Sequence, residues 1–197
     1  MHHNVIRFIF ICLLLFQCNA KPPHTTDVEK NISDKTVRIN LEGYQVQFDF
    51  KGHQKEREIV YRYYESSIKK NYIPKKEEIG IELYDIDNDG NLEILSYLES
   101  SGWCGSLGCD FSIFKKVPDK KDNYVYQPIY WGDPQENKSP GIIVHKNIII
   151  SRNTTLGMYD FLFEGGDGDV SIWQWKGGYY DFLVNLSEQQ VLKLKGK

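Results

Sequence analysis

The chain lacks the short motifs that mark common catalytic sites, and it has few cysteines. No G-x-S-x-G elbow, H-E-x-x-H helix, P-loop or dinucleotide fingerprint is present. Only 4 of its 197 residues are cysteines, and two of them lie within residues 1–20. A zinc site would need further ligands that the histidines do not offer at suitable spacing. These absences lower the expectation of an enzyme without removing it, because paired carboxylates have no sequence motif.

Neither positive nor negative charge predominates in the chain. The chain has 24 basic and 27 acidic residues, a formal net charge of −3. This balance gives no basic surface for nucleic acid or anionic lipid. Hydrophobic residues make up 41% and aromatic residues 14%, which suffices for an ordinary packed core, and the tyrosines and tryptophans favour strands.

The one long apolar run lies at the N-terminus. It covers the nine residues 8–16, just after Arg7, and is too short to span a bilayer comfortably. Small residues before Lys21 suit cleavage after Ala20, so residues 1–20 are interpreted as a signal peptide. The polar residues 21–36, with two adjacent prolines, predict a flexible lead-in.

Two alternatives to simple cleavage remain at this terminus. The segment Leu15-Phe16-Gln17-Cys18 resembles a bacterial lipobox, which would make Cys18 a lipidated first residue. The other alternative is a buried N-terminal strand or helix. Cleavage or lipidation would place the protein in the periplasm, outside the cell or on the outer envelope, with no membrane span after processing.

Apolar periodicity predicts an α+β fold, mainly an antiparallel sheet, in a single domain over residues 37–197. Residues 55–70 repeat apolar side chains at four-residue steps, which predicts one long N-terminal amphipathic helix. Ser187 and Gln190 form a capping-box pattern that predicts a short C-terminal helix. Alternating segments predict a hairpin over residues 142–150. Further strands are predicted over residues 79–84, 92–98, 158–163, 170–175 and 179–184.

The most informative motif is the Asp-rich loop, residues 85–93, which reads D-x-D-x-D-G-x-x-E between apolar runs. Calcium prefers about six to eight oxygen ligands, which carboxylates at alternate positions can supply. A turn without metal is the alternative, because Asp, Asn and Gly also form turns, although crowded like charges repel one another. The expected calcium ligands are Asp85, Asp87, Asp89, the Asn91 carbonyl and Glu93.

The spacing distinguishes this loop from an EF-hand. An EF-hand would have a glutamate where this chain has Ser96, and helices on both sides. The loop therefore resembles the strand–loop–strand calcium loops of FG-GAP and VCBS-type secreted proteins. That resemblance implies a calcium-bearing hairpin in an extracellular or envelope protein, without the propeller. Residues 102–109 also resemble a segment of small exported bacterial proteins, a resemblance that implies no activity.

Two further features bear on the protein's environment and partners. Cys104 and Cys109 enclose four residues, two of them glycine, and we expect a disulfide in an oxidising compartment. Trp103, Trp173 and Trp175 are a candidate surface for sugar or peptide recognition, with core packing as the alternative.

We therefore expect an exported, non-catalytic periplasmic or envelope domain with a structural Ca²⁺ loop and a disulfide. Its expected partner is an unidentified protein or envelope component rather than nucleic acid. The alternatives are an envelope hydrolase that uses carboxylates near the Asp-rich loop, and an inhibitor or structural lipoprotein.

Overall fold

A computed structural model describes residues 40–67, 73–119, 124–132, 135 and 139–196, and half of these residues lie in strands. Strands account for 50% and helices for 17% of them. The helices are α1 (Gln54–Ser67) and α2 (Glu188–Lys195), with a 3₁₀ turn at Lys76–Glu78. The strands are β1 (Gly43–Gln45), β2 (Ile79–Tyr84), β3 (Glu93–Leu98), β4 (Cys104–Gly105), β5 (Gly108–Pro118), β6 (Tyr124–Trp131), β7 (Gly141–Val144), β8 (Ile148–Thr155), β9 (Met158–Glu164), β10 (Val170–Trp175) and β11 (Tyr179–Leu186).

The strands form one curled, mixed sheet. Its order is β1-β8-β9-β10-β11-β6-β5-β3-β2, and β4 and β7 both pair with β5 beside this path. Every pair is antiparallel except β11 with β6, which is parallel. Just after β1, the backbone of Asp49 forms two hydrogen bonds with the backbone of Ile81 on β2. Their lengths are 2.9 and 3.0 Å. Strands β1 and β2 are the first and last strands of this order, so the segment after β1 links the two edges of the sheet through these hydrogen bonds.

The main hydrophobic core lies inside this curled sheet. Phe111, Phe161 and Tyr180 are fully buried there, and Trp131 is 2% exposed. The Trp131 and Tyr180 rings stack with centroids 5.0 Å apart, and Phe161 meets Tyr180 edge-on at 5.1 Å. Since burial of one large apolar side chain contributes about 1.5–3 kcal/mol, this cluster is a principal source of stability.

The prediction of an α+β fold with a long N-terminal helix is wrong. Helix α1 has 14 residues and buries Arg57, Val60 and Tyr64, and the structure shows no longer helix among the residues it describes. The main core contains no residue of either helix. Helical periodicity identifies one apolar face of a segment, but it does not show that the sheet itself encloses the core.

The predicted hairpin over residues 142–150 is also wrong. Strand β7 pairs with β5, whereas β8 pairs with β1 and β9. Strand β6, which contains Pro128, was not predicted, and its parallel contact with β11 makes the sheet a mixed one. Alternation of side chains along one strand does not specify which distant strand it pairs with.

Several predictions concern residues outside those that the structure describes. The signal peptide, the lead-in and the lipidation alternative at Cys18 all lie there, so they stay predictions. Within the described ranges, none of the helices has both the length and the apolar character needed to cross a membrane.

Candidate metal-binding loop

Strands β2 and β3 place the Asp-rich loop at the tip of a hairpin. They pair from Ile79 opposite Leu98 to Tyr84 opposite Glu93. Ile86 is fully buried, and its carbonyl accepts a hydrogen bond of 2.9 Å from the N–H of Tyr159 on β9. The Tyr159 hydroxyl also donates to the side-chain oxygen of Asn88, at 3.1 Å. The loop is therefore held against the neighbouring strand β9.

The loop backbone folds around the side chain of Asp85. Asn88 and Gly90 have φ angles of 57° and 85°, in the left-handed region that Asn and Gly adopt most readily. As a result, the N–H groups of Asp89 and Gly90 donate to the two Asp85 carboxylate oxygens, at 3.1 and 3.0 Å. These bonds orient the first carboxylate of the motif.

The three aspartates of the motif converge. One carboxylate oxygen from each of Asp85, Asp87 and Asp89 lies within 4.8 Å of the other two. Calcium ligands lie roughly 2.3–2.6 Å from the ion, so two ligands of one ion are at most about 5 Å apart. The spacing therefore permits one ion to contact all three carboxylates. Asp85 and Asp87 are half-buried, whereas Asp89 is exposed.

Glu93 supplies a fourth carboxylate at the base of the loop. Its side chain is fully buried, and Oε2 accepts a hydrogen bond of 3.1 Å from the N–H of Ile86. The other oxygen, Oε1, has no hydrogen-bond partner among the described residues. The pKa of Glu93 is raised to about 7, mainly by burial; the charge of Asp87 contributes to the rise, and the hydrogen bond from the Ile86 N–H opposes it.

Lys115 on β5 provides a positive charge beside this group. Its Nζ forms an ion pair with Oδ2 of Asp87. The Lys115 side chain is 30% exposed and the Asp87 side chain is 13% exposed. Sequence analysis missed this contact because β5 is distant in sequence. In the antiparallel register of β3 and β5, Ile94 lies opposite Phe114. The next residues along the two strands, Glu93 and Lys115, are therefore neighbours at the base of the loop.

Asn91 contacts the cluster through its amide groups. Its backbone N–H and its side-chain Nδ2 donate to Oδ1 of Asp89, at 2.7 and 3.0 Å. These hydrogen bonds hold the pKa of Asp89 below its usual value. The ligand role of the Asn91 carbonyl stays a prediction, as does metal ligation by the four carboxylates.

The predicted disulfide between Cys104 and Cys109 is confirmed. The two cysteines face each other across β4 and β5, with their Cα atoms 4.0 Å apart. Gly105 and Gly108 form the next pair, so Ser106 and Leu107 lie at the tip of a tight turn. A disulfide is consistent with an oxidising compartment.

The three candidate tryptophans pack against two different hydrophobic clusters. Trp103 packs edge-on against Tyr64 of α1, with centroids 5.3 Å apart. Trp173 and Trp175 lie on β10 and pack against the main core, Trp173 on Trp131 at 5.6 Å and Trp175 on Tyr180 at 5.3 Å. All three are partly buried, and a binding role for them stays a prediction.

Comparisons with protein families, with curated proteins and with solved structures find no match. The resemblance of the Asp-rich loop to FG-GAP and VCBS-type calcium loops stays a prediction.

Proposed function

We propose that this chain is an exported, non-catalytic domain whose Asp-rich loop binds one calcium ion. The observation that supports it best is the convergence of Asp85, Asp87 and Asp89, in the same loop as the buried Glu93, whose Oε1 has no hydrogen-bond partner among the described residues. A buried polar atom without a partner costs about 1–3 kcal/mol. A cation between the four carboxylates would offset this cost and reduce the repulsion among the aspartates.

Calcium fits this group better than other common divalent ions. The proposed ligands are all oxygens, with no histidine or cysteine among them, and zinc prefers nitrogen and sulfur. Magnesium requires near-octahedral geometry and retains several waters. A hairpin tip that offers carboxylates from alternate residues matches the larger and more variable coordination shell of calcium.

The proposed role of the ion is structural. By bridging the two ends of the Asp-rich loop, the ion would fix the tip of the β2–β3 hairpin. The hairpin tip in turn contacts β9 through Ile86 and Asn88. We therefore expect calcium to stabilise this side of the sheet, and we assign it no chemical step.

Export is the second part of the proposal. The disulfide fits an oxidising compartment, and residues 1–20 have the pattern of a signal peptide. Calcium sites in extracellular modules are typically weak, with dissociation constants of about 10⁻⁴–10⁻³ M. A partly exposed site such as this one suits a compartment in which calcium is abundant.

Calorimetric titration of calcium into the metal-free protein tests this function. We expect one ion per chain, and a loss of affinity of about tenfold or more in Asp87→Asn and Glu93→Gln, because calcium affinity depends on the number of charged ligands. Asp167→Asn is the matched control, since it removes the same charge from the exposed β9–β10 loop. Unchanged affinity in both loop variants would show that any calcium binds elsewhere.

A further inference from the structure

A second candidate site is a solvent-open cavity of about 490 Å³. Its volume lies within the range of about 300–1,000 Å³ that ligand sites occupy. It is separated from the Asp-rich loop along β9, because Tyr159 contacts Ile86 near one end of the strand and Glu164 lines the cavity at the other. Calcium binding and occupancy of this cavity can therefore be tested independently.

Two backbone arrangements fix the walls of the cavity. One wall is the β4–β5 turn, where Gly108 has a φ angle of 115° and a side chain there would lie 2.0 Å from the Val144 carbonyl oxygen. The opposite wall is the β9–β10 loop, in which the N–H of Gly165 donates to the Asp169 carbonyl at 2.9 Å. Asn185 donates to the Asp169 carboxylate at 2.8 Å. Contacts within the protein itself therefore fix both walls.

The lining combines carboxylates with exposed apolar side chains. Glu164, Asp167 and Asp169 supply the carboxylates, and none of the lining residues is a lysine or arginine. Glu164 lies 3.8 Å from Nζ of Lys195 and Asp169 accepts a hydrogen bond from Asn185, so Asp167 is the carboxylate most available to a ligand. Leu107 is 73% exposed and Ile143 is 49% exposed, and both face this cavity. The cavity is therefore complementary to a positive charge next to an apolar group.

Strand β7 adds a backbone element to this lining. It pairs with β5, and no other strand of the described chain pairs with it. Ile143, Val144 and the following His145 line the cavity. An edge strand beside a groove can pair with an extended peptide, with neighbouring pockets receiving alternate side chains.

We propose that the cavity binds an extended peptide segment that carries a lysine or arginine beside an apolar residue. The basic side chain contacts the carboxylates of the β9–β10 loop, above all Asp167. The apolar side chain packs against Leu107 and Ile143, and the peptide backbone lies along β7.

A titration followed by NMR of the ¹⁵N-labelled full chain tests this proposal. The probe is acetyl-Leu-Arg-Leu-amide, compared with acetyl-Leu-Gln-Leu-amide and with free argininamide. We expect shifts at residues 106–107, 143–145 and 164–169, and an affinity for the arginine peptide at least about threefold above that for the glutamine peptide. Equal affinity for the two peptides, equal binding of argininamide, or shifts located elsewhere would contradict the proposal.

Two variants separate charge from shape. Asp167 is exposed and in no hydrogen bond or ion pair found among the described residues, so Asp167→Asn leaves the fold intact. It should lower the affinity for the arginine peptide about two- to fivefold, the range for partly exposed ion pairs. The affinity for the glutamine peptide should not change. Glu77→Gln removes a charge from an exposed site outside the cavity and is the matched control.

The second variant is Gly166→Gln. A Cβ at this position would lie 3.8 Å from Nε2 of His145, an ordinary contact, so the fold tolerates it while the side chain fills the cavity. Both peptides should lose affinity. Binding that survives both Asp167→Asn and Gly166→Gln would place the peptide outside this cavity.

Discussion

Glu93 and Asp89 belong to the same loop but lie in opposite environments. Asp89 is exposed, and hydrogen bonds from Asn91 hold its pKa below the usual value. Glu93 is fully buried, and burial raises its pKa to about 7. Asp89 is therefore the carboxylate that is more readily ionised, whereas Glu93 is held in the interior by the hydrogen bond from the Ile86 N–H.

At the same scale, we predict that Lys115→Met raises calcium affinity. The Lys115 ammonium contacts Asp87, so it opposes a divalent ion at the same group. We expect a gain of roughly three- to tenfold, since repulsion between charges at such distances costs about 1 kcal/mol where water screens it. Calorimetry measures it, and the gain should shrink at high salt because ions screen the charge.

The control for this variant is Lys146→Met. Lys146 pairs with Glu99 at 3.1 Å, with both side chains about half exposed, and it does not contact the loop. Equal effects of the two lysine variants would mean that only net charge matters, and that Lys115 has no specific role.

The buried Asp160 gives a prediction about pH. It is 3% exposed and accepts hydrogen bonds from Thr155 at 2.7 Å and Gln174 at 3.1 Å. Burial raises its pKa, and these bonds and the charge of Lys176 oppose the shift. A raised pKa in the folded state means that stability is greatest below the ordinary value and is lost as pH rises through the folded pKa.

Asp160→Asn should therefore remove part of the pH dependence of folding. Relative to the variant, the wild type should lose free energy of unfolding as pH rises from about 4. Denaturant unfolding from pH 3.5 to pH 7, at matched ionic strength, measures the difference. Parallel pH profiles for the two proteins would contradict the assignment.

At the scale of elements, α1 depends on polar contacts with the sheet. An isolated helix of this length is marginal in water. Arg57 is 3% exposed and donates to the carbonyls of Ile79 at 2.9 Å and Asp49 at 3.0 Å. The Tyr64 hydroxyl bonds to Asp110 at 2.7 Å and Ser112 at 3.0 Å on β5. These buried groups hold α1 in register with the sheet.

We predict that Tyr64→Phe lowers the free energy of unfolding by about 1–3 kcal/mol, because it removes the hydrogen bond that this buried hydroxyl donates to the Asp110 carboxylate, which then keeps its bond from Ser112. Urea unfolding measures the loss. Tyr61→Phe is the matched control on the same helix, since its hydroxyl makes only an exposed contact of 3.4 Å with Glu65. Similar effects of the two variants would show that the Tyr64–Asp110 contact does not stabilise α1.

At the scale of the whole molecule, sequence reasoning succeeded where the information is local. The Asp-rich loop between two strands and the disulfide between Cys104 and Cys109 depend on spacing within a few residues. Pairing of distant strands does not depend on local spacing. The parallel contact of β6 with β11 and the position of Lys115 beside Asp87 were therefore missed. The prediction of a long helix was wrong because tertiary packing, rather than the periodicity of one segment, determines the architecture.

The curled sheet also relates the two candidate sites. Strand β9 contacts the Asp-rich loop near its start and lines the cavity at its end, about 17 Å further along at the usual strand rise. Because the main core between them is tightly packed with aromatic rings, we expect each site to retain its geometry when the other is altered.

A crystal structure of the protein grown with calcium tests the central claim most directly. We predict one metal peak at the Asp-rich loop, with carboxylate oxygens of Asp85, Asp87, Asp89 and Glu93 at roughly 2.3–2.6 Å from it. A loop without metal at saturating calcium, with these oxygens directed away from a common centre, would contradict the account.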